Sequence, residues 1–382
     1  MKQVALLIET SLASGRDILG GISRFLHEQN SWCVFHQTGP LGAMNPASLE
    51  NWSGDGIIAR ITDHTMLRLV RKKRVPVVDV LGNVPDTNLP LITPDDRAIA
   101  RLVHGHFSKC GFRHFAFFGW KHEPWSERRE QAFAECVLTD SNNTFEALGI
   151  NHDEKQDALW PAYLKRLTDW ITTLPKPVAL MTSSDQLALD IIEACRRLSI
   201  LIPEQVAIIG VDDDAAFCDL CMPRLSSVMP DHIQVGYEAA RLLDGLMNGA
   251  SAPPGAIRIP PQKLRLRDSS DVIAVDDPAL IKACRLIRTH ACEGIQVNEI
   301  ARATGLSRSV LQRRFLKSTG KTVFDAILTT KLTRAKEMIA NTPLPLMKIA
   351  AATGFKHQEY LGAVIKRHTG LTATQYRKNN SS

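Results

Sequence analysis

IARATG occupies residues 300–305, and IAAATG follows 49 residues later at 349–354. A chain that writes nearly the same six letters twice is repeating a structural unit. In each copy the Ile and the small Ala residues bury one face of a short helix. Gly305 or Gly354 then supplies a tight turn at positive φ, and a second helix starts at once. The first copy continues LSRSVLQRRFLKSTG, where Ser307 is placed to cap the second helix and Leu311 and Phe315, four residues apart, face inward. Arg308, Ser309, Gln312, Arg313 and Lys317 are left to face outward. The second copy continues FKHQEYLGAVIKRHTG, with Leu361 and Ile365 inward and Gln358, Lys366 and Arg367 outward. Both copies read as helix-turn-helix units, near 297–320 and 346–370, and Val323 to Ala340 reads as a helix that holds them at fixed separation.

Charge points the same way. From Asp276 to Ser382 there are 18 Lys and Arg against 7 Asp and Glu, a net of +11, which leaves −5 for residues 1–275. A basic module at one end of a slightly acidic body is the electrostatic footprint of nucleic-acid binding. An α-helix fits the major groove of B-DNA, and two such helices about 34 Å apart enter successive grooves on one face. The competing reading, a helical bundle with solvated Arg and Lys faces, explains neither the repeat nor the paired turn glycines.

The 382 residues, 44% apolar and 23% charged, have room for two or three globular domains. The N-terminus MKQVALLIETSLASG holds only a short apolar run before Glu9 and no small-residue cleavage pattern, and no stretch reaches the length of a membrane span. A cytoplasmic protein is expected. Eight irregularly spaced cysteines read as reduced thiols, and Cys218 and Cys221, with no second pair nearby, read as packing groups. No metal and no cofactor is expected.

Residues 1–270 alternate β-branched apolar runs with amphipathic stretches. Strands are predicted at 4–9, 32–36, 56–61, 75–82, 114–119, 178–183 and 206–212, which together imply parallel sheet. Ligands of such sheets bind beyond the carboxyl ends of the strands. No glycine-rich phosphate loop follows any strand, which argues against a dinucleotide or nucleoside triphosphate. The basic run Arg71 to Arg74 reads as a solvated helix end. The polar stretch RDSSDVIAVDDPAL, 267–280, reads as a boundary, with Asp277 capping a helix that opens at Pro278. The domains are therefore 1–270, a linker 271–279, and 280–382.

Two resemblances extend this reading. From about 280 to 378 the stretches IARATGLSRSVLQRRFLKSTG, KLTRAKEMIANT, IAAATGF and KRHTGLTATQYR resemble the AraC-type DNA-binding domain of bacterial transcription regulators, with Ala335, Met338 and Ile339 at the core positions of its linker helix. Where that family usually carries Phe, Phe and Pro, this chain has Leu361, Ile365 and Ala373, and Gly362 and Ala363 are short where longer side chains meet bases. The resemblance therefore implies that Ser309, Gln312 and Arg313 carry most base reading, while Lys366 and Arg367 hold phosphates. Residues 91–119, 179–214 and 225–247 resemble the periplasmic-binding-protein-like sensor of LacI-type regulators. The implied fold is an α/β sensor with two lobes of parallel sheet and flanking helices, followed by an all-α domain with two helix-turn-helix units.

A LacI-like sensor joined to an AraC-like reader is similar to the regulators of bacterial sugar operons. It implies a homodimeric activator that binds a double-stranded DNA operator, works with RNA polymerase, and answers to a sugar. D-xylose is the effector expected; another pentose, a hexose or a purine are the alternatives. By resemblance Arg129 is the ligand-contacting arginine and Asp212 the carboxylate, with Asp95 and Asp185 at matching cleft positions. A sugar pocket also needs an aromatic face for C–H surface, and Trp125 is the residue chosen. Ser184 stands where the family often has Asn. Glu9 and Arg16 are weaker candidates, and Asp213 and Asp214 read as solvated. An enzyme using Asp95, Asp185 and Asp212 would leave the basic repeat unexplained, and a transport receptor would need neither DNA unit.

Overall fold

The computed structural model describes the chain except residues 30, 31, 37–48, 50, 156, 273, 276, 381 and 382. Its residues divide into two compact units, Met1–Asp271 and Val272–Ser382.

Among the described residues the first unit holds two large sheets and one separate strand pair. In one, Trp32–His36, Lys2–Leu7, Gly56–Ala59 and Val77–Asp79 lie side by side in that order, all parallel. GIIA at 56–59 is buried at every position, as continuous apolar strands covered on both faces must be. In the other, the order is Lys263–Arg265, Ser226–Met229, Val206–Val211, Val178–Thr182, His114–Trp120 and Thr144–Ile150, with only the first of these antiparallel to its neighbour. Ile92–Pro94 pairs separately with Ile257–Ile259. Helix His232–Met247 returns to the first lobe, where Val235, Ala239 and Leu243 pack with Ile18, Ile22 and Phe25 of helix Ala13–Gln29. Phe118, Leu164, Leu180, Ile191 and Ile208 centre the core of the second lobe. Each such side chain contributes roughly 1.5–3 kcal/mol on burial.

Strands at 144–150, 226–229 and the three short ones at 92–94, 257–259 and 263–265 were not legible as apolar runs. TFEALGI is an edge strand that leaves Thr144, Glu146 and Ala147 exposed. The buried serines of SSVM are satisfied by hydrogen bonds rather than by apolar contact. The others are three residues long and carry Pro, Arg or Lys.

Among its described residues the second unit packs into two cores. Leu280, Ile287, Ile300, Leu311, Phe315 and Ile327 form one, and Leu332, Ala335, Ile339, Ile349, Leu361 and Ile365 the other. Helix Val323–Asn341 serves both, with Val323 and Ile327 in the first and Leu332, Ala335 and Ile339 in the second. One continuous helix thus sets the spacing of the two repeats. Asp277 caps Pro278–His290 by accepting from the Ala279 amide at 2.9 Å, and Ser307 caps Arg308–Thr319. Cys218 and Cys221 are buried free thiols, and burial pushes the Cys221 thiol up to about 12.

The repeat glycines differ in one respect. Gly305 takes φ +73° and an added Cβ there meets nothing within 4 Å, whereas at Gly354, φ +71°, it would lie 2.6 Å from the Cys292 carbonyl oxygen. Gly305→Ala is expected to cost about 1 kcal/mol, the left-handed backbone penalty alone, and Gly354→Ala clearly more. Urea unfolding of the full chain ranks the two; equal costs would count against this turn geometry.

Candidate functional site

A cavity of about 630 Å³ opens between the two lobes of the first unit, and its walls come from the segments that follow the strands. Ser14, Arg60 and Leu81 line it from the first lobe; Trp120, Ser184 and Asp212 line it from the second. This is the carboxyl-end position that parallel sheets offer to ligands, and the volume lies in the range of small-molecule sites.

Arg129 is a buried cation with fixed geometry. Its Nε donates to Asp96 Oδ1 at 3.0 Å, one terminal nitrogen donates to the Ser183 carbonyl, and the guanidinium lies 5.5 Å over the Trp125 ring. Trp125 donates its indole N–H to Glu123 Oε2 at 3.1 Å. A second indole, Trp120, stacks on His152 with ring centres 4.1 Å apart. The structure corrects the expectation for Asp95. Asp95 caps helix Asp96–Lys109, accepting from the Ala98 amide at 3.0 Å, and its neighbour Asp96 is the carboxylate that lines the cavity.

Asp185 and Asp212 both line the cavity. Asp185 accepts from Ser227 Oγ at 2.6 Å, the Asp214 amide at 2.8 Å and Cys218 Sγ at 3.5 Å. Burial first, then the nearby negative charge of Asp212, pushes its carboxyl well above the usual carboxylate range. Asp212 Oδ1 lies 3.3 Å from His232 Nε2. Asp213 is a second correction: it is buried, not solvated, because Arg267 donates to it at 2.7 Å and Arg265 lies 3.0 Å away. Asp214 is half-buried, lines the cavity and caps helix Ala215–Leu220. Glu9 is buried against Arg60, whereas Arg16 donates to the carbonyls of Thr10 and Ser11 and does not line the cavity.

Hydrogen bonds join the lobes across the cleft. Arg128 donates to the Gly82 and Leu81 carbonyls at 2.7 and 3.2 Å, and Asn83 donates to Glu123 Oε2 at 2.9 Å. Sequence reasoning missed Asp96, Arg60, Glu123, Arg128 and His232. For Asp96 a signal existed: in PDDR the first Asp sits at the N-cap position and uses its carboxylate locally, which leaves the second for longer-range work.

Several buried polar atoms here have no hydrogen-bond partner among the described residues: Arg60 Nε, Ser184 Oγ and His232 Nδ1. Buried donors and acceptors are satisfied in native proteins, so these are places for a ligand or water. With the carboxylates of Asp96 and Asp212 and two indoles, the cleft offers donors, acceptors and aromatic faces within one cavity. Among the described residues no three His, Cys, Asp or Glu side chains are grouped to hold a metal, and no helix is long and apolar enough to cross a membrane.

In the second unit, Arg308, Ser309, Arg313 and Lys317 are exposed on helix Arg308–Thr319 and Gln312 is half-buried, while Leu311 and Phe315 are buried. On helix Gln358–Thr369, Gln358, Lys366 and Arg367 are exposed over buried Leu361 and Ile365. Each helix thus presents a basic, hydrogen-bonding face, the requirement for contacting phosphates and base edges.

Comparison with known proteins covers the whole chain. Residues 3–91 match the XylR N-terminal domain family, 104–270 the periplasmic binding protein-like domain family, and 300–379 a helix-turn-helix domain family. The xylose operon regulatory protein of Escherichia coli (strain K12) is 30% identical over 387 residues, covering 99% of this chain and 97% of that protein. Its counterpart from Haemophilus influenzae (strain ATCC 51907 / DSM 11121 / KW20 / Rd) is 27% identical over 385 residues, covering 99% and 98%. A solved structure of the xylose-binding transcription activator XylR superposes with TM-score 0.79 at 29% identity and covers 100% of this chain and 99% of that one. A likeness that runs unbroken through both units reflects more than either domain by itself, and on that ground the chain belongs to the xylose operon regulatory protein family.

Proposed function

We propose that the protein is a D-xylose-dependent activator of a sugar-catabolic operon, sensing the sugar in the interlobe cleft and reading operator DNA with the second unit. The observation that carries this is a cleft lined by buried, unpartnered polar atoms and by two indoles, on the same chain as a duplicated basic helix-turn-helix. Each sugar hydroxyl donates one hydrogen bond and accepts up to two, so a wall that offers guanidinium, hydroxyl and carboxylate groups suits it. In this reading Arg129, Asp96, Asp185 and Asp212 hold hydroxyls and Trp125 covers the ring's C–H surface. Ser309, Gln312 and Arg313 read bases; Arg308, Lys317, Gln358, Lys366 and Arg367 hold the backbone. Two chains act as a homodimer in the cytoplasm and work with RNA polymerase at the promoter. The sugar favours one lobe arrangement only by its differential affinity for it, and that preference is what the DNA-reading unit reports.

The test is binding of the purified chain to its own upstream DNA, with and without D-xylose, at two salt concentrations. D-xylose should tighten binding, and log affinity should fall with log salt by about 0.9 per phosphate neutralised. Salt-dependent binding indifferent to xylose would keep the DNA reader and discard the sugar.

A further inference from the structure

We infer that Arg267 is a positioning residue that ties the ligand cleft to the segment leading out of the first unit, so that it carries the effector signal toward the DNA reader. The inference rests on the sugar-responsive reading above.

Asp212 and Asp213 both have left-handed backbone, at φ +115° and +51°. Asp enters the left-handed well at about +57° more readily than most residues, but +115° at Asp212 lies outside that well and needs surroundings that hold it. Here the constraint comes from two directions. On the cleft side, Asp185 accepts from the Asp214 amide at 2.8 Å and from Ser227 Oγ at 2.6 Å, and Ser227 Oγ in turn accepts from the Asp213 amide at 3.0 Å. On the far side, Arg267 Nη2 donates to Asp213 Oδ1 at 2.7 Å, and the Asp213 side chain is only 1% exposed. Asp212, which lines the cavity, is therefore aimed by a backbone that Arg267 holds through Asp213.

Arg267 is itself locked into the segment by which the chain leaves. Its amide donates to Ser226 Oγ at 2.7 Å and its Nη1 to the Leu225 carbonyl at 2.8 Å. Ser269 and Ser270 are fully buried next to it. Ser269 Oγ donates to the Ile208 carbonyl at 2.6 Å, the Ile208 amide returns a bond to the Ser269 carbonyl at 2.8 Å, and Ser270 Oγ donates to Ser226 Oγ at 2.8 Å. The segment is thus sewn to the strands Val206–Val211 and Ser226–Met229, the first of which leads directly into Asp212. The first unit then closes at Asp271, and Val272 opens the second. Any rearrangement of 212–213 on ligand binding must move, or work against, the Asp213–Arg267 pair. That pair sits where the chain departs.

The experiment compares full-length wild type, Arg267→Met and Asp213→Asn. D-xylose affinity is measured by calorimetry, and affinity for the chain's own upstream DNA is measured with and without saturating D-xylose. The readout is the ratio of the two DNA affinities, which a merely structural residue would leave intact while weakening both. That ratio should fall at least fivefold in each variant, toward 1, with D-xylose still bound. The double variant should lose no more than either single one, as expected for one shared interaction. If Arg267→Met does not fold, Asp213→Asn, which keeps size and removes only charge, decides. A wild-type ratio retained within twofold by folded variants overturns this inference alone. A wild type whose DNA affinity ignores D-xylose overturns the sugar-responsive reading and this inference with it.

Discussion

Asp96→Ala is expected to abolish D-xylose binding, and Asp95→Ala to leave it nearly unchanged. The Asp96 carboxylate, 8% exposed, accepts from Arg129 at 3.0 Å and lies 3.7 Å from Arg128 Nε. Removing it strands two guanidinium groups in the cleft with no carboxylate between them. Breaking one partner out of such a buried pair costs about 3–5 kcal/mol, because the remaining charge stays desolvated. Burial already lowers the pKa of Arg128, so its charge is held at a cost even now. With Asp96 gone, Arg129 is free to leave the Ser183 carbonyl and the Trp125 face, and the hydrogen-bonding surface offered to a sugar disperses. Asp95→Ala removes a helix cap, worth about 1 kcal/mol, and an ion pair to Arg101 at 3.9 Å that is mostly solvated. Calorimetric titration with D-xylose and the thermal midpoint separate the two variants. The opposite ranking would return Asp95 to the cleft.

What could be read from the sequence follows the range of the interactions concerned. In the second unit the determinants are local: spacings of three and four, capping side chains and turn glycines. Leu311, Phe315, Leu361 and Ile365 are accordingly all buried where periodicity put them. In the first unit the long apolar strands were legible, and Arg129, Trp125, Asp185 and Asp212 do meet at one cavity. Asp213 was misread because its partners, Arg265 and Arg267, lie more than 50 residues away, beyond any local pattern. Glu9 and Arg60 meet across 51 residues for the same reason. A buried charge is invisible until its counter-charge is placed beside it, and only the sheet topology does that.

Phe315→Ala and Ile365→Ala should divide the labour of the two helix-turn-helix units. The two side chains sit in different cores, 2% and 0% exposed, so each substitution loosens one recognition helix and leaves the other core packed. The expected cost is about 3–5 kcal/mol for the Phe and 2–5 kcal/mol for the Ile. Helix Val323–Asn341, anchored at both ends, keeps the undamaged unit in place. Loss of the first helix-turn-helix removes Ser309, Gln312 and Arg313, the groups able to pair with base edges, so Phe315→Ala should bind operator and unrelated DNA of equal length alike. Loss of the second removes Lys366 and Arg367 beside the short Gly362 and Ala363, groups suited to phosphate rather than base. Ile365→Ala should therefore weaken both DNAs by a similar factor and keep the preference between them. Fluorescence anisotropy with the two duplexes in competition measures this directly. If Ile365→Ala erases the preference instead, base reading belongs to the second helix-turn-helix, and Gln358 and Glu359 at the start of its exposed helix become the residues that carry it.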